Sequence, residues 1–550
     1  MQKAVNSLVS HVINHGIRHV IICPGSRNAP LTLSFTRNSQ AICYSLVDER
    51  SAAFTALGMA VALNYPVAIV CTSGTAVLNL YPAICEAYYS QIPLLILTAD
   101  RPPELIDQWD GQCIHQTSIF EKHSLGSFTF NPLKPKQLDL NMAISLCSFP
   151  KKGPVHINIP LAEPLYEGKN KPFDFEMLEP ISVQQASNLN SFPKPHNYKK
   201  ILLLAGADIG GQRLSKPIEA LVNSNRVAVI TDIISGLHPY QTTPNWDAFL
   251  SIASDTDKAV LKPELLITIG KFTISKGLKK FLKQYKPIKH WHITSNHSIA
   301  DPFETKPKEI ICDEILFLNH LLTESDSFDE TYNESWQKAG SMAGIFIKRF
   351  FEKATFNEFS AVNEISKILP SDTFLQVANS MPIRYISFLS EHLKNIQIYC
   401  NRGTSGIDGS TSTAAGFSII QNKLTVLLTG DLSFFYDVNG LWNLYLKSNF
   451  KIIVLNNGGG GIFRLIEGPH DLPERETYFS TASKRSCKKL AAEFNFAYYK
   501  AHDFSILQTE LHTMLNEPNK PGILEIFTDP QKNIKFYKAF KSISFSTPLS

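Results

Sequence analysis

No two cysteines in this 550-residue chain are spaced as C-x-x-C. The nine present (Cys23, Cys43, Cys71, Cys85, Cys113, Cys147, Cys312, Cys400 and Cys487) are scattered and odd in number. That spacing argues against a disulfide framework and against a zinc site. Several, such as Cys71 in VAIVC, sit in apolar runs and read as buried free thiols of a reducing compartment. No stretch approaches the ~18 consecutive apolar residues of a membrane span. The opening MQKAVNSLVSHVINHG lacks the long apolar core of a signal peptide and reads as an amphipathic helix. The expectation is a cytoplasmic protein. Lysine and arginine form no block long enough for a nucleic-acid arm, and the formal net charge is only +4. No G-x-G-x-x-G follows an apolar run. GADIGG at 206–211 has the wrong spacing, which removes the Rossmann dinucleotide fingerprint.

What is present is ordinary in amount and ordered in pattern. An apolar share of 44% and a charged share of 19% suit a globular protein that needs no special folding device. Single cores stop growing at roughly 250–300 residues, so two to four domains are expected. Short β-rich runs alternate with helical patterns, which argues for parallel sheets covered by helices. Strands are predicted at 19–24, 67–71, 94–99 and 155–159, then at 200–206, 227–232, 265–270 and 289–293. A last set falls at 373–377, 396–400, 424–430, 451–456 and 522–527. Helices are predicted over ERSAAFTALGMAVAL and GTAVLNLYPAICEAYYS. A polar stretch at 165–198 reads as a linker, and the acidic TESDSFDETYNES at 323–335 precedes the last set. The fold class is α/β: three consecutive doubly wound parallel-sheet domains over 1–175, 195–335 and 345–550. They share a pattern and no close repeat of residues.

Parallel sheets carry functional loops at the C-terminal ends of their strands. Three such ends are distinctive: CPGSRN after the first strand, GDLSF after LTVLLT, and NNGGGG after KIIVL. A helix following Ser433 would turn its N–H groups toward a phosphate. Asp431 can add a hard oxygen ligand for Mg²⁺, Asn457 an amide oxygen and Gly459 a carbonyl. Alone, GD reads first as a helix cap and NNGGGG as a turn. Together, each after a buried strand, they favour a metal and diphosphate site.

This GD…NN arrangement resembles the thiamine-diphosphate motif, usually GDG followed by NN, with Leu432 in the third position here. Longer segments narrow the resemblance. CPGSRNAPLT (23–32), VDER, TSGTAVLNLYPA (72–83), LTADRPPEL (97–105), NSMPIR (379–384), NRGTSGIDGSTSTAAG (401–416), GDLSFFYDVNGLWNL and NNGGGGIF are similar to the 2-succinyl-5-enolpyruvyl-6-hydroxy-3-cyclohexene-1-carboxylate synthases of menaquinone biosynthesis. The resemblance spans all three units and is strongest in the first and third.

That resemblance implies thiamine diphosphate with Mg²⁺, or Mn²⁺ in its place. It implies decarboxylation of 2-oxoglutarate and conjugate addition of the remaining unit to isochorismate. It also implies a homodimer or homotetramer with active sites at the interface. The first domain of one subunit holds the pyrimidine end and the last domain of another holds the diphosphate end. Glu49, at the start of a helical pattern after a short strand, is the carboxylate placed against N1′ of the aminopyrimidine. Burial suits such a group to proton exchange near neutrality. By its residues alone, Glu49 reads equally as a helix-start carboxylate. Ser73, Gly430, Asp431, Leu432, Ser433, Asn457, Gly459 and Gly460 would hold the cofactor. Ile407 would wedge beneath it, with Ile462 and Phe463 as an apolar wall, although these three also suit an ordinary core.

Both substrates are dicarboxylates, and arginine offers a planar fork to a carboxylate. Charge-assisted hydrogen bonds of this kind contribute about 1.5–3 kcal/mol each. By resemblance, Ser26, Arg27, Arg101, Gln112, Ser380, Arg384 and Arg402 line the substrate pocket, with Lys276 as a further cation. Any one of these arginines alone would read as a surface ion pair. Two positions depart from the family. Gly277 follows Lys276 where arginine is frequent, and Gly111 precedes Gln112 where a polar residue is usual. Two alternatives stand beside this reading. One is another thiamine-diphosphate 2-oxoacid decarboxylase or acetolactate-synthase-like ligase; the other is a non-catalytic scaffold of the same fold. Intact Glu49, Asp431 and Asn457 argue against the scaffold.

Overall fold

Runs that are apolar at every position suit strands covered on both faces, and here they form the centres of three all-parallel sheets. The computed structural model describes residues 1–550 except 167–172, 176–191, 196, 208–209, 296–299, 325–328, 466–467 and 543–550. Most of the expected linker at 165–198 lies outside the described residues.

The first sheet contains β1 (His19–Ile22), β2 (Ile42–Ser45), β3 (Val67–Cys71), β4 (Leu94–Asp100), β5 (Gly126–Thr129) and β6 (Pro154–Pro160), in the order β2-β1-β3-β4-β6-β5. The middle sheet contains β7 (Ile201–Ala205), β8 (Ala228–Thr231), β9 (Leu265–Ile269), β10 (Lys289–Thr294) and β11 (Lys308–Ile311), in the order β11-β10-β9-β7-β8. The third contains β12 (Phe374–Val377), β13 (Gln397–Tyr399), β14 (Thr425–Gly430), β15 (Phe450–Asn456), β16 (Ala497–Ala501) and β17 (Gly522–Phe527), in the order β13-β12-β14-β15-β17-β16. Counted from its own first strand, the third sheet repeats the order of the first. Every pairing is parallel.

The predicted strands are all present, with ends shifted by at most two residues. β5, β11 and β16 are additional; each flanks its sheet or lies at its edge, with mixed burial. The single helix expected over GTAVLNLYPAICEAYYS divides into Thr75–Asn79 and Tyr81–Ser90. Pro82 lies in the first turn of the second helix, where its missing N–H costs nothing. One helix, Glu330–Glu352, runs straight through the interval 335–345 expected as a domain joint. Its Trp336, Ala339, Ala343 and Ile347 are buried in a core that also holds Leu202 and Phe249 of the middle unit and Leu375 and Ile453 of the third. Among the described residues, no helix is long and apolar enough to cross a membrane. The nine cysteines carry free thiols.

The first and third units meet where helix Glu49–Leu63 crosses helix Ser410–Ile420. A Cβ on Gly58 would collide with the Thr413 carbonyl, and a Cβ on Gly416 with the Thr55 carbonyl. The two backbones therefore touch. Alanine is intrinsically the better helix former by about 1 kcal/mol. Overpacking nevertheless costs typically about 1–3 kcal/mol, so Gly416→Ala should lower the denaturation midpoint. An unchanged or raised midpoint would refute the crossing.

His156 on β6 sits between Thr98 Oγ1 at 2.8 Å and Ser127 Oγ at 3.0 Å. Burial pulls its pKa down to about 3, so the folded chain favours the neutral ring. The stability this contributes is present above the unfolded pKa of ~6.5 and is lost as pH falls below it. Relative to His156→Gln, the wild type should lose stability between pH 6.5 and 4 and show no trend above. Denaturant midpoints measured across that range check the sign.

Candidate active site

Ligands of open α/β sheets bind at the point where the strand order reverses direction. In the first sheet that point lies between β1 and β3, and CPGSRN and Thr72-Ser73 leave from it. Arg27 is buried; its Nη1 donates to the Leu161 carbonyl at 3.0 Å and its Nη2 to Glu163 Oε1 at 3.5 Å. Its Nε is buried with no partner, as are Ser73 Oγ, Thr72 Oγ1 and Asn28 Oδ1. Buried polar atoms are nearly always paired, so this cluster marks where a polar ligand would seat. Ser26 is exposed on the same loop.

Arg101, at the end of β4, directs Nε and Nη2 onto the Gly111 carbonyl at 3.1 and 2.6 Å and ion-pairs with Asp110 at 3.1 Å. Position 111 therefore works through its backbone, and a Cβ there would meet nothing within 4 Å. Gln112 follows in the left-handed region at φ 56°, with an exposed side chain. Its backbone rests against Gly74, beside Ser73. Buried Gln116 fixes this loop, accepting from the Gly74 N–H at 2.8 Å and donating to Asn158 at 3.0 Å.

Glu49 is the first residue of its helix, and the Asp48 side chain caps the helix by accepting from the Ser51 N–H at 3.1 Å. β2 is the short strand expected ahead of it. Burial raises the Glu49 pKa, and the Asp48 charge pushes the same way. Asp48 also accepts from Asn439 of the third unit at 2.7 Å.

The third sheet reverses between β12 and β14. Gly430 closes β14, and a six-residue helix begins at Asp431 itself, so that Ser433 lies within it rather than ahead of it. Gly430 is extended at the cap position, and Asp431 Oδ1 accepts from the Leu432 N–H at 2.9 Å, which starts the turn at once. Burial raises the Asp431 pKa to about 6, and backbone N–H groups of Leu432, Gly459 and Gly458 partly offset it. Asn457 donates Nδ2 to Glu358 Oε1 at 2.7 Å, while its Oδ1 is buried without a partner. The amide nitrogen is thus engaged by Glu358, which itself feels the Asp431 charge, and the oxygen is left without a partner. The Gly459 carbonyl accepts from the Gly461 N–H at 3.0 Å and keeps a second lone pair. A carboxylate, an amide oxygen and a carbonyl are the donors a hard divalent cation takes, so these residues fit Mg²⁺. Among the described residues, no cluster of three or more His, Cys, Asp or Glu offers a competing metal site.

Ser433 Oγ donates to the Ile407 carbonyl at 2.9 Å, tying the diphosphate candidate to the wedge candidate. Ile407, Ile462 and Phe463 are half-buried, and Gly460 and Gly461 lead into the short turn that carries the last two.

Ser380 holds φ 78° and ψ −127°, a conformation that costs a serine about 1–3 kcal/mol. Its carbonyl accepts from Arg384 Nη1 at 2.5 Å. Burial pulls the Arg384 pKa down; the Tyr537 hydroxyl opposes this and the Arg402 charge adds to it. Arg402 Nη1 donates to Asn379 Oδ1 at 2.8 Å, and its Nε is buried with no partner. Lys276 is exposed at the start of its helix. Lys279, one turn on, is half-buried instead; burial lowers its pKa and Arg402 lowers it further. A Cβ at position 277 would meet Ser251 Oγ at 3.1 Å and the Leu250 carbonyl at 3.4 Å, so a side chain there is crowded.

Sequence reasoning missed Lys279, Asn379 and Glu358. Glu358 is buried, accepts from Tyr385 Oη at 3.0 Å, and has its pKa pushed up to about 7 by burial. It sits 99 residues from Asn457, and no local motif links them. The i, i+3 spacing of Lys276 and Lys279 was the one available signal for the missing cation.

Residues 2–119 match the family model of the thiamine pyrophosphate enzyme N-terminal TPP binding domain, and 197–377 match that of the middle domain of thiamine pyrophosphate. The chain is 39% identical over 533 residues to a 2-succinyl-5-enolpyruvyl-6-hydroxy-3-cyclohexene-1-carboxylate synthase from Flavobacterium johnsoniae, covering 96% of each chain. The enzyme of the same name from Flavobacterium psychrophilum is 41% identical over 539 residues, again covering 96% of each. That from Bacteroides thetaiotaomicron is 33% identical over 557 residues, covering 98% of each. With two domain models of the family matched and likeness along nearly its whole length to enzymes of one name, this chain belongs to the 2-succinyl-5-enolpyruvyl-6-hydroxy-3-cyclohexene-1-carboxylate synthase family of thiamine pyrophosphate enzymes.

Proposed function

We propose that the chain is a transferase of menaquinone biosynthesis that decarboxylates 2-oxoglutarate and adds the remaining four-carbon unit to isochorismate. The products are 2-succinyl-5-enolpyruvyl-6-hydroxy-3-cyclohexene-1-carboxylate and CO₂. The observation that carries this reading is that the half-buried Arg384 and Arg402, close enough for one to feel the other's charge, and the oxygen donors Asp431 and Asn457 all follow the C-terminal ends of strands of one sheet. Half-buried cations that form no ion pair among the described residues suit an anionic substrate.

Asp431, Asn457 Oδ1 and the Gly459 carbonyl would hold Mg²⁺, with Mn²⁺ as a substitute, against the diphosphate. Gly430, Leu432, Ser433 and Gly460 shape that end, and Ser73 belongs to the other. Thiamine diphosphate, when bound, supplies a nucleophilic carbon and an electron sink. Glu49 holds and returns a proton at N1′ of the aminopyrimidine, a role its raised pKa supports. Arg27, Arg101, Arg384 and Arg402 orient the substrate carboxylates, with Ser26, Gln112 and Ser380 as hydrogen-bonding neighbours. Lys279 supports the cation role assigned from sequence to Lys276. Ile407, Ile462 and Phe463 exclude water. Three domains over 1–175, 195–335 and 345–550, a homodimer or homotetramer with shared sites, and a cytoplasmic setting complete the proposal. The free thiols support the last point.

The deciding experiment follows isochorismate with purified protein, 2-oxoglutarate, thiamine diphosphate and Mg²⁺, each omitted in turn. Loss of isochorismate that needs every component supports the reading. Turnover of pyruvate with isochorismate untouched would replace it with a related ligase or decarboxylase. Glu49→Gln should lower kcat by about 10²-fold or more with an unchanged circular dichroism spectrum; near-normal turnover would remove Glu49 from this role. Asp431→Ala should abolish Mg²⁺-dependent binding of thiamine diphosphate in calorimetry. Binding at wild-type affinity would show that the metal lies elsewhere.

A further inference from the structure

The segment Asn401–Gly409, which carries Arg402, has no regular structure. It lies between β13 and helix Ser410–Ile420, so no ladder of backbone bonds fixes it. Around Arg402 two side chains from different units do so, while Ser433 and Arg50 hold the later carbonyls of Ile407 and Asp408. From the third unit, Asn379 Nδ2 donates to the Asn401 and Gly406 carbonyls, both at 2.7 Å, while its Oδ1 takes the Arg402 guanidinium. From the first unit, Glu86 approaches on helix Tyr81–Ser90, with 1% of its surface exposed.

The Glu86 carboxylate is fully occupied. Oε1 accepts from the Gly403 N–H and from Ser90 Oγ, each at 2.7 Å. Oε2 accepts from the Thr404 N–H at 2.7 Å and from Thr404 Oγ1 at 2.9 Å. The approach is so close that a Cβ on Gly403 would lie 2.6 Å from the Glu86 carbonyl and 2.8 Å from Ser90 Oγ. Lys271 of the middle unit donates to the Ser90 carbonyl at 3.0 Å, so all three units converge on this helix end. Short charge-assisted bonds of this kind fix direction as well as distance.

We propose that Glu86 is a positioning residue for substrate binding: it clamps Gly403 and Thr404 from across the unit boundary and so aims the Arg402 guanidinium at the substrate carboxylate. The proposal rests on the reading of Arg402 as a substrate cation. Glu86 touches no substrate itself. Its removal would leave Arg402 charged and present but poorly aimed, which weakens binding without changing the chemistry at the cofactor.

Glu86→Gln tests this. The amide turns one NH₂ toward backbone N–H donors, so half of the clamp is lost at constant shape. The KM for the substrate that Arg402 holds should rise about tenfold, with kcat and thiamine diphosphate affinity close to wild type. Hydrogen exchange over 401–406 should quicken while that over 430–433 stays slow. In the Glu86→Gln, Arg402→Ala double variant the KM should match that of Arg402→Ala alone, because a misaimed side chain cannot be lost twice. Thr404→Val, which removes a single bond, should show a smaller rise of the same sign and covers the case in which Glu86→Gln folds poorly. A wild-type KM with unchanged exchange would overturn the clamp, as would two effects that add. Wild-type protein that consumes neither substrate would refute the functional reading alone, and the exchange comparison would still judge the clamp.

Discussion

The contact on which the active-site arrangement depends is the crossing of two helix backbones at Gly58 and Gly416. One helix begins with Glu49; the other follows directly from the segment that carries Arg402 and Ile407. Because no side chain separates the helices, the N-terminus of the first is held at a fixed place over the third unit. Polar contacts then lock the orientation. Arg50 donates to the Asp408 carbonyl and ion-pairs with Asp437 at 3.3 Å. Asp437, itself buried, accepts from the Ser412 N–H and Oγ at 2.7 and 2.6 Å. Helix crossing, ion pair and cap form one chain of contacts from Glu49 to the substrate loop.

Desolvation governs the chemistry of the groups so gathered. Burial is the largest influence on Glu49, Asp431 and Glu358, raising all three, and on Arg384, lowering it. Each shift opposes the charged form. The site therefore stores a preference for opposite charges brought in from outside: a cation beside the acids and carboxylates beside the arginines. Groups whose pKa values are displaced by burial, at two strand-order switch points, mark a candidate site.

How much of this was legible in the sequence depended on how far apart the cooperating residues lie. Inner strands such as Val67–Cys71 and Gly522–Phe527 are covered on both faces, and their continuous apolar runs announce them. β5, β11 and β16 see solvent on part of their surface, so their residues alternate weakly and escape notice. Asp431 and Asn457 were readable because each ends a buried strand with a short motif. Glu358 and Glu86 were not, because each acts on a segment far along the chain through a carboxylate that could equally be a surface charge. Lys276 was chosen by resemblance; Lys279, one turn on, is the more buried of the two and feels the Arg402 charge, a difference in depth that a linear motif does not encode.

The repeated strand order has a further consequence at the helix crossing. The two crossing helices occupy equivalent places, each following the second strand of its own sheet. The contact is reciprocal: Gly58 meets the carbonyl three residues before Gly416, and Gly416 meets the carbonyl three residues before Gly58. A contact of this form is isologous, the kind that two identical subunits make across a dyad. The first and third units thus associate as a homodimer would, with the middle unit inserted in the tether. The dyad relates the two backbones and not their side chains: Glu49 opens one of the two helices and Ser410 the other.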